Sequence, residues 1–402
     1  MLKIDRAILG FFSNWKTVLA AFMAIGLVVL VSGKVFIVSG SARNSQVYIW
    51  LLLPALFLLF WGGKRKFDFY YLPWGLFLGW VSLSTFWANG SDTDPLSLAK
   101  RGLYIAIFIV AVRILLDDKE VYFRRALLWG IALVSIGAFL SLLYQYGILK
   151  QSLAYRAFRI DRMGYGEFAN YGWPVAAGIF HGAIASWALG LALDKNAGFF
   201  RSSFWLTCFS ILSIYVLLTY TRGAWIGLAV TSVVVVLMIN SRRGWFLLGA
   251  GVLLVFIALL MWWDKIIFEI VYRKLSGRGP IWEYFYSVME GKWLLGYGLG
   301  TPFEYKWPGQ ETISPHAHSL YLQLVYDSGL VSLALLLVGV ATISYKAWTL
   351  RHEAWVVLAF PALLFSMIAM ITDVERIFTR PGDYWVVFWL PVSVLLAVPR
   401  HK

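Results

Sequence analysis

Apolar stretches of about 17 to 25 residues recur along the entire chain, separated by short polar breaks. A helix of that length spans the hydrocarbon of a bilayer, and it satisfies its own backbone hydrogen bonds where water cannot. With 60% hydrophobic and 14% charged residues among 402, the chain carries more apolar surface than a soluble domain of that size can bury. The expectation is an all-α, polytopic transmembrane bundle forming one integral membrane domain over residues 1–402. About twelve spans are expected, near 17–33, 46–62, 70–88, 101–116, 124–146, 172–194, 203–221, 222–240, 245–263, 318–347, 354–372 and 384–399. Val18 to Val31 follows Lys3, Arg6 and Lys16 without a small-residue cleavage site, so it reads as a retained first helix rather than a signal peptide. Cys208 is the single cysteine and lies in an apolar run, which excludes an intrachain disulfide and leaves a small core residue.

An even number of spans places both termini on one side. The short loops there hold Lys64-Arg65-Lys66, Arg124-Arg125, Lys195, Arg201, Arg242-Arg243, Lys346 and Arg351, so that side reads as cytoplasmic. Two longer segments on the opposite side depart from the bias. Residues 147–171 contain Arg156, Arg159 and Arg162, and residues 264–317 contain Lys265, Arg273, Lys274, Arg278, Lys292 and Lys306. Cations kept on the outer face against the topological preference suit an anionic ligand, with lipid headgroups or water as the competing partners.

The segment 264–317, between the ninth and tenth spans, is the largest hydrophilic excursion, and its aromatics and glycines suit a folded loop. Within it, Gly279-Pro280 can open a short interfacial helix bearing Ile281, Trp282, Phe285, Tyr286, Met289 and Trp293 on one face. Arg278 then sits just before a helix N-terminus, where free N–H groups and a guanidinium could together hold a phosphate. Gly296-Tyr297-Gly298-Leu299-Gly300 follows no strand and lacks the lysine of a phosphate loop, so no nucleotide site is expected. His316 and His318 close the loop without a third ligand at metal-binding spacing. On a continuous helix Gly329 falls on the face of His318 and admits a second backbone beneath it, although a helix-start histidine can also be purely structural.

Thr219-Tyr220-Thr221-Arg222-Gly223 interrupts an apolar run too long for one span and so marks a tight outer turn. An arginine there needs an anion: a substrate, a headgroup, or an acid such as Asp373 or Glu375. Arg159 and Arg162 are one turn apart if their segment is helical, with Asp161 a local partner for either. His181 lies deep within a span; it is read as a packed, hydrogen-bonded residue, with a proton pathway as the alternative.

Thr221-Arg222-Gly223 at a span boundary, Ser276-Gly277-Arg278 with Ile281-Trp282, Gly296 to Gly300, and His318-Ser319 followed by Gly329 resemble the O-antigen ligase and polymerase superfamily. The resemblance is strongest from about residue 219 to 332 and most like the ligase branch. Ser332 departs from the glycine, threonine or tyrosine usual at its position. The resemblance implies a glycosyltransferase of lipopolysaccharide biosynthesis in the bacterial inner membrane, with 264–317 and the active site periplasmic. It implies transfer of a glycan from undecaprenyl diphosphate to a sugar hydroxyl of lipid A-core, with no metal, cofactor, nucleotide sugar or nucleic acid.

Chemically, Arg222 and Arg278 suit the charge that develops on the departing diphosphate, and His318 suits the acceptor proton. Arg156, Arg159, Arg162, His316, Ser276 and Tyr321 are candidate contacts to diphosphate or glycan. Direct displacement inverts the anomeric centre, and no protein nucleophile for a double displacement is evident. A polymerase with the same donor, an oligosaccharyltransferase and a lipid-linked glycan transporter are the alternatives.

Overall fold

The computed structural model describes residues 2–61, 65, 67–373 and 376–399, with side chains from Trp15 onward. Lys64, Lys66 and Glu375 lie outside the described residues, as do the side chains of Lys3 and Arg6. The described chain is almost wholly helical. In order it forms α1 (Leu2–Phe36), α2 (Gly40–Val47), α3 (Leu53–Trp61), α4 (Leu72–Ser84), α5 (Pro95–Leu142), α6 (Pro174–Ala192) and α7 (Phe199–Leu218). There follow α8 (Arg222–Ile239), α9 (Arg242–Met261), α10 (Trp263–Ile267), α11 (Arg278–Val288), α12 (Leu320–Thr349), α13 (Ala354–Ala369) and α14 (Leu390–Ala397). Between α11 and α12 a two-residue antiparallel pair, β1 (Tyr305–Lys306) and β2 (Ile313–Ser314), closes a hairpin.

Among the described residues, eight helical segments are long and apolar enough to cross a membrane. That count takes residues 95–148 as a single stretch. The stretch is two helices joined across a kink at Lys119, whose backbone leaves the helical region (φ −148°, ψ 51°), so the expected segments 101–116 and 124–146 lie on either side of it. Segments 70–88, 354–372 and 384–399 are occupied by the shorter helices α4, α13 and α14. Lys346, expected in a short loop, is instead buried within α12, where its amine donates to the Leu396 carbonyl at 2.7 Å and lies 3.4 Å from Asp68.

α6 is buried along nearly all its length. Gly178, Gly182, Ser186 and Gly190 recur every four residues, a stripe of small residues that lets neighbouring elements approach. A Cβ on Gly182 would sit 2.3 Å from the Phe365 ring of α13, and one on Gly178 would sit 2.6 Å from Thr219 Oγ1 at the end of α7. The α7–α8 turn is thereby drawn against the start of α6. His181 is buried and stacks on Tyr215 at 3.9 Å, with Nδ1 2.8 Å from the Ala177 carbonyl; Cys208 is buried and free.

The loop before α12 folds onto the bundle. α11 buries Ile281 and Phe285, and with Met289 these pack against Phe303, Ala317, Val325 and Tyr326, so this apolar face meets protein. Gly296, Gly298 and Gly300 all have positive φ. A Cβ on Gly298 would lie 2.4 Å from the Ala88 nitrogen, and one on Gly296 would lie 2.6 Å from the Tyr326 carbonyl. The glycine-rich turn is therefore a backbone crossing point. α12 breaks where it meets this turn: Gly329 has φ 74° and ψ 178°, the Leu330 N–H donates to Trp293, and the Tyr297 N–H donates to Tyr326. Ser332 Oγ donates to the Gly329 and Leu324 carbonyls at 2.7 and 3.2 Å, satisfying acceptors that the break would leave open.

Candidate functional site

Three polar junctions meet beside a cavity of about 950 Å³. At the first, Thr221 Oγ1 donates to the Pro174 carbonyl at 3.3 Å, and Gly223 lets the end of α13 approach, its Cβ position lying 3.2 Å from the Ala369 carbonyl. Arg222 between them is the first residue of α8. Its Nη1 donates to the Glu269 carbonyl at 3.2 Å and its Nη2 to the Lys274 carbonyl at 2.8 Å and to Ser276 Oγ at 2.5 Å.

At the second junction, Gly277 (φ 81°) caps α11 and makes Arg278 its first residue. Arg278 Nη2 donates to Asp373 Oδ2 at 2.9 Å, while its Nε is buried without a hydrogen-bond partner. At the third, the helix begins at Leu320 rather than at 318, with Ser319 as N-cap, so His318 stands in the preceding turn. Its Nδ1 lies 3.4 Å from Asp373 Oδ1. The surrounding backbone is clamped by Trp282 Nε1 to the Ala317 carbonyl at 3.0 Å, the Ala317 N–H to Gln323 Oε1 at 2.9 Å, and the Leu320 N–H to Met370 at 3.1 Å. The His318 N–H donates to His316 Nδ1 at 3.2 Å, and the two rings are 4.1 Å apart.

Arg222, Arg278 and His318 thus line one cavity, together with Arg156, Arg159, His316 and Ser276. Arg162 and Tyr321 do not. Arg162 makes a two-point pair with Asp161 at 3.0 Å, and Tyr321 donates to the Met367 carbonyl at 2.7 Å. The segment around Arg159 and Arg162 is non-helical, so the one-turn spacing that would have aligned them is absent.

Sequence reasoning did not single out Arg101 or Arg376, and it counted Arg273 and Lys274 only among the cations of 264–317 that suit an anionic ligand; all four line the cavity. It offered Asp373 as one alternative partner for Arg222, and the carboxylate instead joins Arg278 to His318. Asp373 sits in the polar break after α13, and its acidity among so many cationic polar breaks was the available signal.

Eight lysine and arginine side chains face one carboxylate, Asp373, among the described residues lining the cavity. Arg159 records the resulting field. Burial, with the charges of Arg156 and Arg273, pushes its pKa down to about 10, so it remains protonated at neutral pH yet stands among like charges. Its Nε donates to the Thr219 carbonyl at 2.9 Å. Five non-glycine lining residues, Arg156, Tyr220, Lys274, Ser276 and His318, have left-handed backbone conformations. Such residues cost about 1–3 kcal/mol each and persist where surrounding contacts over-determine them. Val175, Ile179, Ile226, Ile368 and Ile371 give the same cavity an apolar wall.

Residues 207–337, which contain Arg222, Arg278 and His318, match the family model described as O-Antigen ligase. The chain is similar to the O-antigen ligases. It is 23% identical to an O-antigen ligase of Pseudomonas aeruginosa over 385 residues, covering 94% of this chain and 90% of that protein. The matched region ends before Asp373 and begins after Arg156 and Arg159, so the cavity draws on parts of the chain outside it.

Proposed function

We propose that this membrane protein is an O-antigen ligase, a glycosyltransferase that moves a glycan from undecaprenyl diphosphate to a sugar hydroxyl of lipid A-core. The observation that carries the reading is the convergence of Arg222, Arg278 and His318, from three separate segments, on one cavity. Its apolar wall suits a prenyl chain, and its basic wall suits a diphosphate.

In this reading the acceptor oxygen attacks the anomeric carbon while the bond from that carbon to the diphosphate oxygen breaks. The negative charge passes to the diphosphate, where Arg222 and Arg278 stabilise it with Arg159 and Arg156 as further cations. With the Nδ1 proton of His318 directed at Asp373, Nε2 carries the lone pair that takes the acceptor proton. Asp373 orients that ring and also holds Arg278, coupling the two groups. A single in-line displacement inverts the anomeric centre. The positive charge comes from side chains, so the proposed mechanism uses no metal. The membrane is the bacterial inner membrane, with both termini cytoplasmic and the cavity facing the periplasm.

The test is reconstitution of the purified protein with carrier-linked glycan and lipid A-core, read by gel mobility. His318→Ala is expected to fold and bind the donor but to lose ligation; full transfer by this variant removes the base. A deletion strain should accumulate long polymer on the carrier and bare lipid A-core. Core carrying one repeat unit would instead indicate a polymerase.

A further inference from the structure

Behind the arginine wall lies Glu269, whose side chain is 9% exposed and which does not itself line the cavity. Arg273 Nη1 donates to its two oxygens at 3.0 and 3.4 Å, Arg156 Nη1 to Oε1 at 3.4 Å, and Arg222 Nη1 lies 3.8 Å from Oε2. The Tyr155 hydroxyl is a further hydrogen-bond partner. Burial alone would push this carboxyl up, but the bonds to Arg273 and Tyr155 and the charges of Arg156 and Arg273 outweigh it and hold the group below its ordinary value. One carboxylate is therefore shared by three guanidiniums that all reach the cavity.

We propose that Glu269 is an internal counter-anion that positions Arg156, Arg222 and Arg273 and weakens their grip on a bound diphosphate enough for the lipid product to leave. The inference rests on the reading of the cavity as a diphosphate site. Three guanidiniums and one carboxylate leave this cluster two net positive charges instead of three, and the cavity's other cations add to them. Loss of the sugar exposes a further ionisable oxygen with a pKa near neutrality, so the product is more anionic than the donor. A cradle of three uncompensated cations would hold that product most tightly at the step where release is needed. Glu269 touches the arginines rather than the reacting atoms, and it is a positioning residue.

The experiment compares wild type, Glu269→Gln and Glu269→Asp, all purified in detergent. Inorganic pyrophosphate binding is measured, and the first turnover is separated from steady-state ligation. For Glu269→Gln, removal of one nearby negative charge should tighten pyrophosphate binding about tenfold. Steady-state kcat and KM should both fall, with the first turnover retained. Glu269→Asp should stay near wild type. Unchanged or weaker pyrophosphate binding by Glu269→Gln overturns the proposal, as does a first turnover lost in parallel with kcat. Failure of that variant to fold also counts against it, because the assigned role is in ligand affinity. Should wild type bind no pyrophosphate, or bind it regardless of Arg222→Ala, the diphosphate reading of the cavity fails instead.

Discussion

Replacing Gly329 by alanine should separate the two halves of the site, because this glycine is where the loop backbone crosses α12. The added Cβ would lie 2.0 Å from the Leu294 carbonyl oxygen and 2.6 Å from the Leu295 nitrogen, both backbone atoms that cannot swing aside. At φ 74° and ψ 178°, alanine also enters a region that essentially only glycine occupies. Backbone strain of about 1–3 kcal/mol and overpacking of about 1–3 kcal/mol together predict a loss of about 2–6 kcal/mol. Relief requires the 293–297 turn to move by roughly 1 Å, breaking the paired bonds of Leu330 to Trp293 and Tyr297 to Tyr326. α11 packs on that same region of α12 and carries Arg278, so the arginine would shift relative to His318. A displacement on the order of 1 Å costs about a hundredfold in rate. The assay is a detergent-solubilised thermal melt beside reconstituted ligation, with Gly249→Ala as control, since a Cβ there meets nothing within 4 Å. Gly329→Ala should melt at least about 5 °C lower and lose most turnover, while the control stays at wild type. Equal melting temperatures and rates for the two variants would falsify the crossing argument.

Two further substitutions probe the cationic wall. Arg278→Lys should rescue Arg278→Ala poorly, because one ammonium cannot hold Asp373 and also present a planar fork to phosphate; equal ligation by lysine and wild type excludes that geometry. Arg159→Met should raise the melting temperature while weakening pyrophosphate binding. Burial, with the charges of Arg156 and Arg273, pushes its pKa down to about 10 and opposes its charge, and a bound anion would offset that opposition. The sign is fixed by linkage. Folded Arg159 releases its proton near pH 10 and the unfolded side chain only at higher pH, so this residue's penalty to stability is present at neutral pH and is relieved as pH rises through 10. A variant less stable than wild type, with pyrophosphate affinity unchanged, refutes this account.

The helical membrane class was legible from the chain because apolar run length answers directly to bilayer thickness, whatever the packing. Arg222, Arg278 and His318 were legible as candidates for a related reason: each stands in a polar break at a span or helix boundary, where an ionisable side chain near hydrocarbon stands out. Gly329 was marked as a close-approach point, but the backbone passing over it and the resulting break in α12 come from the 293–297 turn, which is remote from its helical neighbours. Arg162 and Tyr321 show the converse. Their residue types fitted the site, but a local carboxylate and a carbonyl of α13 claim their polar groups. By itself the sequence determined which residues must be exceptional, since local hydrophobicity and conformational cost are properties of short segments. Only the tertiary structure decided which exceptions meet: that Asp373 joins Arg278 to His318, and that Glu269 is shared by three arginines, depends on contacts among segments distant along the chain.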